Sequence, residues 1–82
     1  MIKVLFFAQL RDQLGVSELN LPSDENPNVQ VLLSNLKNKE AHWERILSKA
    51  TLMVAVNQTM SNKTATLKSG DEVAFFPPVT GG

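Results

Sequence analysis

Glu72-Val73-Ala74-Phe75-Phe76-Pro77-Pro78-Val79-Thr80-Gly81-Gly82 closes the chain and decides how the rest is read. Its first half reads as a strand, Glu72 to Phe76, with Val73 and Phe75 facing in and Glu72, Ala74 and Phe76 facing out. Two prolines then hold φ near −65° and, through the restriction each places on its predecessor, keep the backbone extended. Gly81 and Gly82 lack a Cβ, so the carboxyl terminus can pass through a channel too narrow for other residues. From Pro77 to Gly82 the chain can reach roughly 20 Å at about 3.3 Å per residue. The sequence thus divides into a folded domain, residues 1–76, and an extended C-terminal tail, residues 77–82, that reads as an arm delivering its own end. Gly-Gly alone also fits a frayed terminus. The stiff spacer and the apolar strand ahead of it favour the arm.

Upstream, Ser69-Gly70-Asp71 is a tight turn into that strand. Thr51 to Val56 forms another strand with Leu52, Val54 and Val56 on one face, and Asn57-Gln58-Thr59 turns into a short strand around Met60. Ser61 to Thr66 is polar and reads as loop or edge. Asn28 is positioned to cap a helix in which Val29, Leu32, Leu33 and Leu36 make one buried stripe. Trp43, Ile46, Leu47 and Ala50 predict a short second helix beside it. At the start, Ile2 to Ala8 is a strand with Ile2, Val4 and Phe6 inward, so Leu5 and Phe7 share the face of Lys3. Gln9 to Leu14 suits a helical turn closed by Gly15, Ser17 to Leu21 a second strand, and Pro22 to Pro27 a loop. The fold class is therefore α+β, a mixed sheet packed on one main helix plus a short second helix. A β-grasp arrangement fits, with the first and last strands parallel neighbours. It would gather Phe7, Met60 and Phe76 on the uncovered sheet face as an apolar docking patch.

The totals narrow the function. Eighty-two residues make one small module, too small for a large cofactor pocket of its own. Eight basic and eight acidic residues cancel, without a basic cluster, which argues against nucleic-acid and membrane-surface partners. Cysteine is absent, so no thiol can carry sulfur and a reducing compartment is expected. The apolar run after Lys3 is shorter than a signal peptide requires, which makes the cytoplasm the expected location. His42 is the only histidine, so a metal cluster is not expected, and no phosphate loop or paired nucleophile and base is recognisable. The chain is not expected to be an enzyme by itself.

The terminal carboxylate remains. Attack by it on the α-phosphate of ATP, within a partner enzyme, makes an acyl-adenylate, and a sulfur donor can displace AMP from that species. The product, a thiocarboxylate on Gly82, is a soft nucleophile at the end of a narrow arm.

Met1-Ile2-Lys3-Val4-Leu5-Phe6-Phe7-Ala8-Gln9, Ala55-Val56-Asn57-Gln58-Thr59 and Gly70 through Gly82 together resemble the small subunits of molybdopterin synthase, the ubiquitin-like sulfur carriers of molybdenum cofactor biosynthesis. The likeness spans essentially the whole chain, although residues from about Val16 to Ala50 carry only a compatible helix pattern. It implies a ubiquitin-like β-grasp fold and activation of Gly82 by an adenylating enzyme that consumes ATP. It also implies sulfur loading from a donor enzyme, and insertion of the tail into a large synthase subunit within a heterotetramer. There sulfur passes to cyclic pyranopterin monophosphate to form the molybdopterin dithiolene. By the same likeness Gly82 and Gly81 are the reacting end, and Phe7, Arg11, Met60, Phe76, Pro77, Pro78, Val79 and Thr80 contact the partner. No cofactor is expected on the chain alone. A thiamine-type sulfur carrier, a ubiquitin-like protein modifier and a plain interaction module are the alternatives.

Overall fold

The structure, a computed structural model, describes residues 1–49 and 51–78. The expectations for Ala50, at the end of the second helical stripe, and for Val79, Thr80, Gly81 and Gly82 lie outside the described residues.

Strand β1 (Ile2–Phe6) leads into helix α1 (Ala8–Leu14) and strand β2 (Glu18–Leu21). A single 3-10 turn (Ser23–Glu25) precedes helices α2 (Val29–Lys37) and α3 (Ala41–Leu47). Strands β3 (Met53–Val56), β4 (Thr59–Ser61) and β5 (Glu72–Phe76) complete the described chain. The five strands form one sheet in the order β2-β1-β5-β3-β4. β1 and β5 run parallel at its centre, with Val4 opposite Val73 and Phe6 opposite Phe75, while the other pairings are antiparallel. This is the expected ubiquitin-like β-grasp.

Alternation decides which face is dry. Ile2, Val4 and Phe6 of β1, Val73 and Phe75 of β5 and Val54 of β3 are buried with Val29, Leu32, Leu33 and Leu36 of α2 and with Trp43 and Leu47 of α3. The Phe6 ring stacks near Phe75, centroids 6.1 Å apart, and meets Trp43 edge-on at 5.8 Å. Truncating so enclosed a ring costs on the order of 3–5 kcal/mol, because both transfer energy and a cavity are involved.

Helix α2 starts as its sequence predicts: Asn28 Oδ1 accepts from the Val31 N–H at 2.8 Å. Two further N–H groups of its first turn donate to the segment before β5, Val29 to the Ala65 carbonyl and Gln30 to that of Lys63. The polar run expected as loop or edge therefore completes a helix cap, and Leu67, which follows it, is buried with its N–H donated to the Pro27 carbonyl.

Several boundaries differ from expectation. β1 stops at Phe6 because Ala8 opens α1 at φ +54, a left-handed value that costs a non-glycine residue about 1–2 kcal/mol. Gly15 ends that helix at φ +79, donating its N–H to the Arg11 carbonyl. Thr59 belongs to β4 and not to the turn, since Asn57 and Gln58, at φ +51 and +67, make a two-residue hairpin by themselves. β3 begins at Met53, two residues later than Thr51.

The Asn57 side chain ties that hairpin to β5. Its amide donates to Asp71 Oδ1 at 3.0 Å and its oxygen accepts the Glu72 N–H, while Asp71 Oδ2 accepts the Lys68 N–H. The Asn57 amide, then the Lys68 N–H, hold the Asp71 carboxyl below its usual range against the opposing effect of burial. A depressed folded pKa means that this stabilisation is complete above the unfolded value, about pH 4, and is lost as pH falls through the lower folded value. Asp71→Asn should lower the melting temperature at neutral pH and flatten the acid side of the stability curve below about pH 4. Thermal unfolding across pH measures both, and an acid limb as steep as the native one would remove Asp71 from the account.

Candidate functional site

The helices occupy one face of the sheet, and the other face is defined by strand register. One row across it reads Glu18, Leu5, Ala74, Ala55 and Met60. Met53 and Phe76 stand opposite each other in the next row. Phe7 follows β1 with an extended backbone (φ −117, ψ 158), donates its N–H to the Phe75 carbonyl and continues the alternation onto this face. The result is an apolar surface of Leu5, Phe7, Met53, Ala55, Met60, Ala74 and Phe76, uninterrupted by charge across its centre.

Exposure within it is uneven. Phe7 and Met60 are 46% and 55% exposed, whereas Phe76, Met53 and Leu5 are half-buried and Ala55 is buried. Small Ala74 and Ala55 in the middle leave a shallow floor between the larger side chains at its rim. Exposed large apolar groups in a chain this small mark a contact surface more often than chance scatter.

The structure thus gathers Phe7, Met60 and Phe76, as the alternation predicts. Arg11 sits differently. It is exposed on α1, 3.9 Å from Asp12, and lines a shallow depression with Gly15, Val16 and Ser17 at the β2 side of the sheet. The apolar row itself ends in Glu18 at its β2 edge and in the Met60 thioether at its β4 edge, while Arg11 stands apart on α1 beside Asp12. Met53 was missed from sequence, although the signal was present: inward Leu52, Val54 and Val56 require an outward Met53.

Parallel pairing places the end of β5 beside the end of β1, so the tail leaves next to Phe7. Pro77 is half-buried and Pro78 exposed, and both line a small cavity with Gln9, Leu10 and Gln13 of α1 and with Leu52. The root of the tail is therefore supported by α1 on one side while Phe76 contributes to the apolar surface on the other. The positions expected to react or to follow the prolines, Val79, Thr80, Gly81 and Gly82, are outside the described residues.

Among the described residues no group of three or more His, Cys, Asp or Glu side chains is placed to hold a metal ion, and no helix is long and apolar enough to cross a membrane. His42 is exposed beside Glu40.

Comparison with known proteins matches this arrangement. Residues 4–82 fit the model of the ThiS family. The chain is 44% identical to the molybdopterin synthase sulfur carrier subunit of Haemophilus influenzae and 45% identical to that of Escherichia coli, in each case over 82 residues and the whole of both chains. Among solved structures, SAMP1 from Haloferax volcanii superposes with a TM-score of 0.83 at 24% identity, covering 99% of this chain and 98% of that one. A chain of the complex of subunits 1 and 2 of the molybdopterin-converting factor from Helicobacter pylori gives 0.69 at 24% identity, covering 99% and 97%. Those two likenesses speak to the fold, and the two full-length relatives to descent. The chain belongs to the ThiS family and, within it, to the molybdopterin synthase sulfur carrier subunits.

Proposed function

We propose that this chain carries sulfur on its terminal carboxyl group and delivers it inside a molybdopterin synthase. The observation that carries the proposal is a juxtaposition: β5 sets Phe76 into an apolar contact surface and, six residues later, the chain ends in Gly-Gly. The relatives of matching length that bear the sulfur carrier name support it.

In the proposed cycle a Gly82 carboxylate oxygen attacks the α-phosphorus of ATP within an adenylating enzyme, and pyrophosphate leaves. Sulfide attacks the acyl carbon and AMP leaves, producing the thiocarboxylate. A persulfide donor reaches the same product when a thiol then cleaves the acyl disulfide. The charged tail next enters a large synthase subunit, where its sulfur is transferred to cyclic pyranopterin monophosphate. Water cleaves the acyl–sulfur bond and regenerates the carboxylate. Two such transfers supply both sulfurs of the dithiolene, which suits a heterotetramer with two copies of each subunit. The chain itself holds no cofactor in this cycle, and ATP belongs to the activating enzyme.

The described residues contribute docking and aim. Phe7, Met60 and Phe76 anchor the large subunit, Arg11 adds a charged contact at the β2 side, and Pro77-Pro78 set the direction of Val79-Thr80-Gly81-Gly82. The Helicobacter pylori chain of the same fold, found in a complex of two subunits, supports a partner of this kind.

Phe76→Asp should weaken binding of the large subunit by on the order of 2 kcal/mol, about 30-fold in Kd, since it places a charge among apolar anchors. Calorimetric titration measures this, with thermal unfolding confirming that the variant is folded; a native Kd would remove Phe76 from the interface. Gly82→Ala should keep the melting temperature, because the buried core among the described residues, from Ile2 to Phe75, is assembled from the sheet and the helices. The same change should abolish or sharply slow sulfur transfer in a reconstituted synthase assay. Native transfer by that variant would contradict the proposal, and isopeptide attachment of the native chain to lysine would replace it with a protein-modifier role.

A further inference from the structure

All of the sulfur in this chain is in three methionines, Met1, Met53 and Met60, and two of them lie on the helix-free face. Met60 is 55% exposed at the β4 side, directly opposite Ala55, so no bulky neighbour across the strand covers its thioether. Met53 is its diagonal neighbour on β3, half-buried opposite Phe76. Met1 is just as open, 60% exposed, but precedes β1 at the far end of the sheet, with its carbonyl bonded to the Gly70 N–H and its amine to Ser69.

A thioether is apolar and deformable, which suits an anchor on an adaptable contact surface. Its sulfoxide is neither. Oxidation by a peroxide proceeds by attack of the sulfur lone pair on one peroxide oxygen. The O–O bond breaks, an S–O bond forms and water is released, with sulfur oxidised by two electrons and the peroxide reduced. The resulting dipole is a strong hydrogen-bond acceptor, and enclosing it against Ala55, Ala74 and an apolar partner leaves it unpaired. There is no cysteine to intercept the oxidant first.

We propose that Met60 is an oxidation site in the free carrier whose sulfoxide weakens docking to the partner, making sulfur delivery sensitive to peroxide and restorable by a methionine sulfoxide reductase. The inference rests on the assignment of this face to docking of the large subunit. Met1 supplies an internal control, since it is equally exposed to oxidant and distant from the face.

The test uses the full, uncharged chain, so that the thiocarboxylate is not itself oxidised. It is treated with hydrogen peroxide, sulfoxides are located by peptide mass mapping, and Kd for the large subunit is measured before and after. The expected result is a rise in Kd of about tenfold or more in step with Met60 oxidation, reversed by the reductase. In Met60→Leu the ratio of Kd after peroxide to Kd before should fall to one, whatever its starting affinity, even though Met1 of that variant is oxidised as in the native chain. Three results would overturn the inference: an unchanged Kd with Met60 fully oxidised, an equal loss in Met60→Leu, or a Met60 that stays reduced while Met1 reacts. If the untreated chain does not bind the large subunit at all, the docking assignment fails and this inference fails with it.

Discussion

The parallel pairing of β1 with β5 is the constraint on which the rest depends. Two parallel neighbours finish at the same edge of a sheet, so the end of β1 and the end of β5 emerge together. One continues as Phe7 and α1, the other as Phe76 and the prolines. An antiparallel pair would send these two ends to opposite edges, and the tail would leave far from Phe7. Parallel neighbours also require a long connection, and here it contains α1, β2, α2, α3, β3 and β4. The described helices collect on one face, where they bury Ile2, Val4, Phe6, Val73 and Phe75. The opposite face is left to Leu5, Ala74, Ala55, Met60, Met53 and Phe76.

Leaving that face apolar is unfavourable for an isolated small domain, which has little core to spare. The arrangement makes physical sense when the face is covered for part of a working cycle. Reversible docking also fits its uneven exposure, with two prominent side chains at the rim and alanines between them. In the proposed cycle the reacting group is the chain's terminal carboxyl, and the catalytic groups for charging and for discharge belong to the partner enzymes.

Much of this was legible in the residues because it is local. Alternation in Ile2 to Phe6 and in Glu72 to Phe76 assigns the faces, the spacing of Val29, Leu32, Leu33 and Leu36 sets the helix stripe, and Asn28 marks its start. What was not legible depends on contacts distant in sequence. Leu67 is buried, and the run before it caps α2, only because that segment crosses the helix start. Asn26 is buried because its amide reaches the Pro22 carbonyl and its oxygen accepts from Asn35. Neither partner can be inferred from a loop rich in turn formers. The early end of β1 depends on a left-handed Ala8, an uncommon conformation with no compositional signal. In the candidate site, Phe7, Met60 and Phe76 were legible by alternation, while the location of Arg11 along the β2 side required the fold.

Whether Gly82 carries the sulfur is read from the intact mass of the purified chain after incubation with ATP, an adenylating enzyme that charges a related carrier, and a sulfur donor. Fragmentation must locate the change, because exchange of oxygen for sulfur and oxidation of a methionine alter the mass by nearly the same amount. Replacement of one oxygen by sulfur at Gly82, dependent on ATP, is the expected result. An unmodified terminus, under conditions that charge the related carrier to completion, would contradict it.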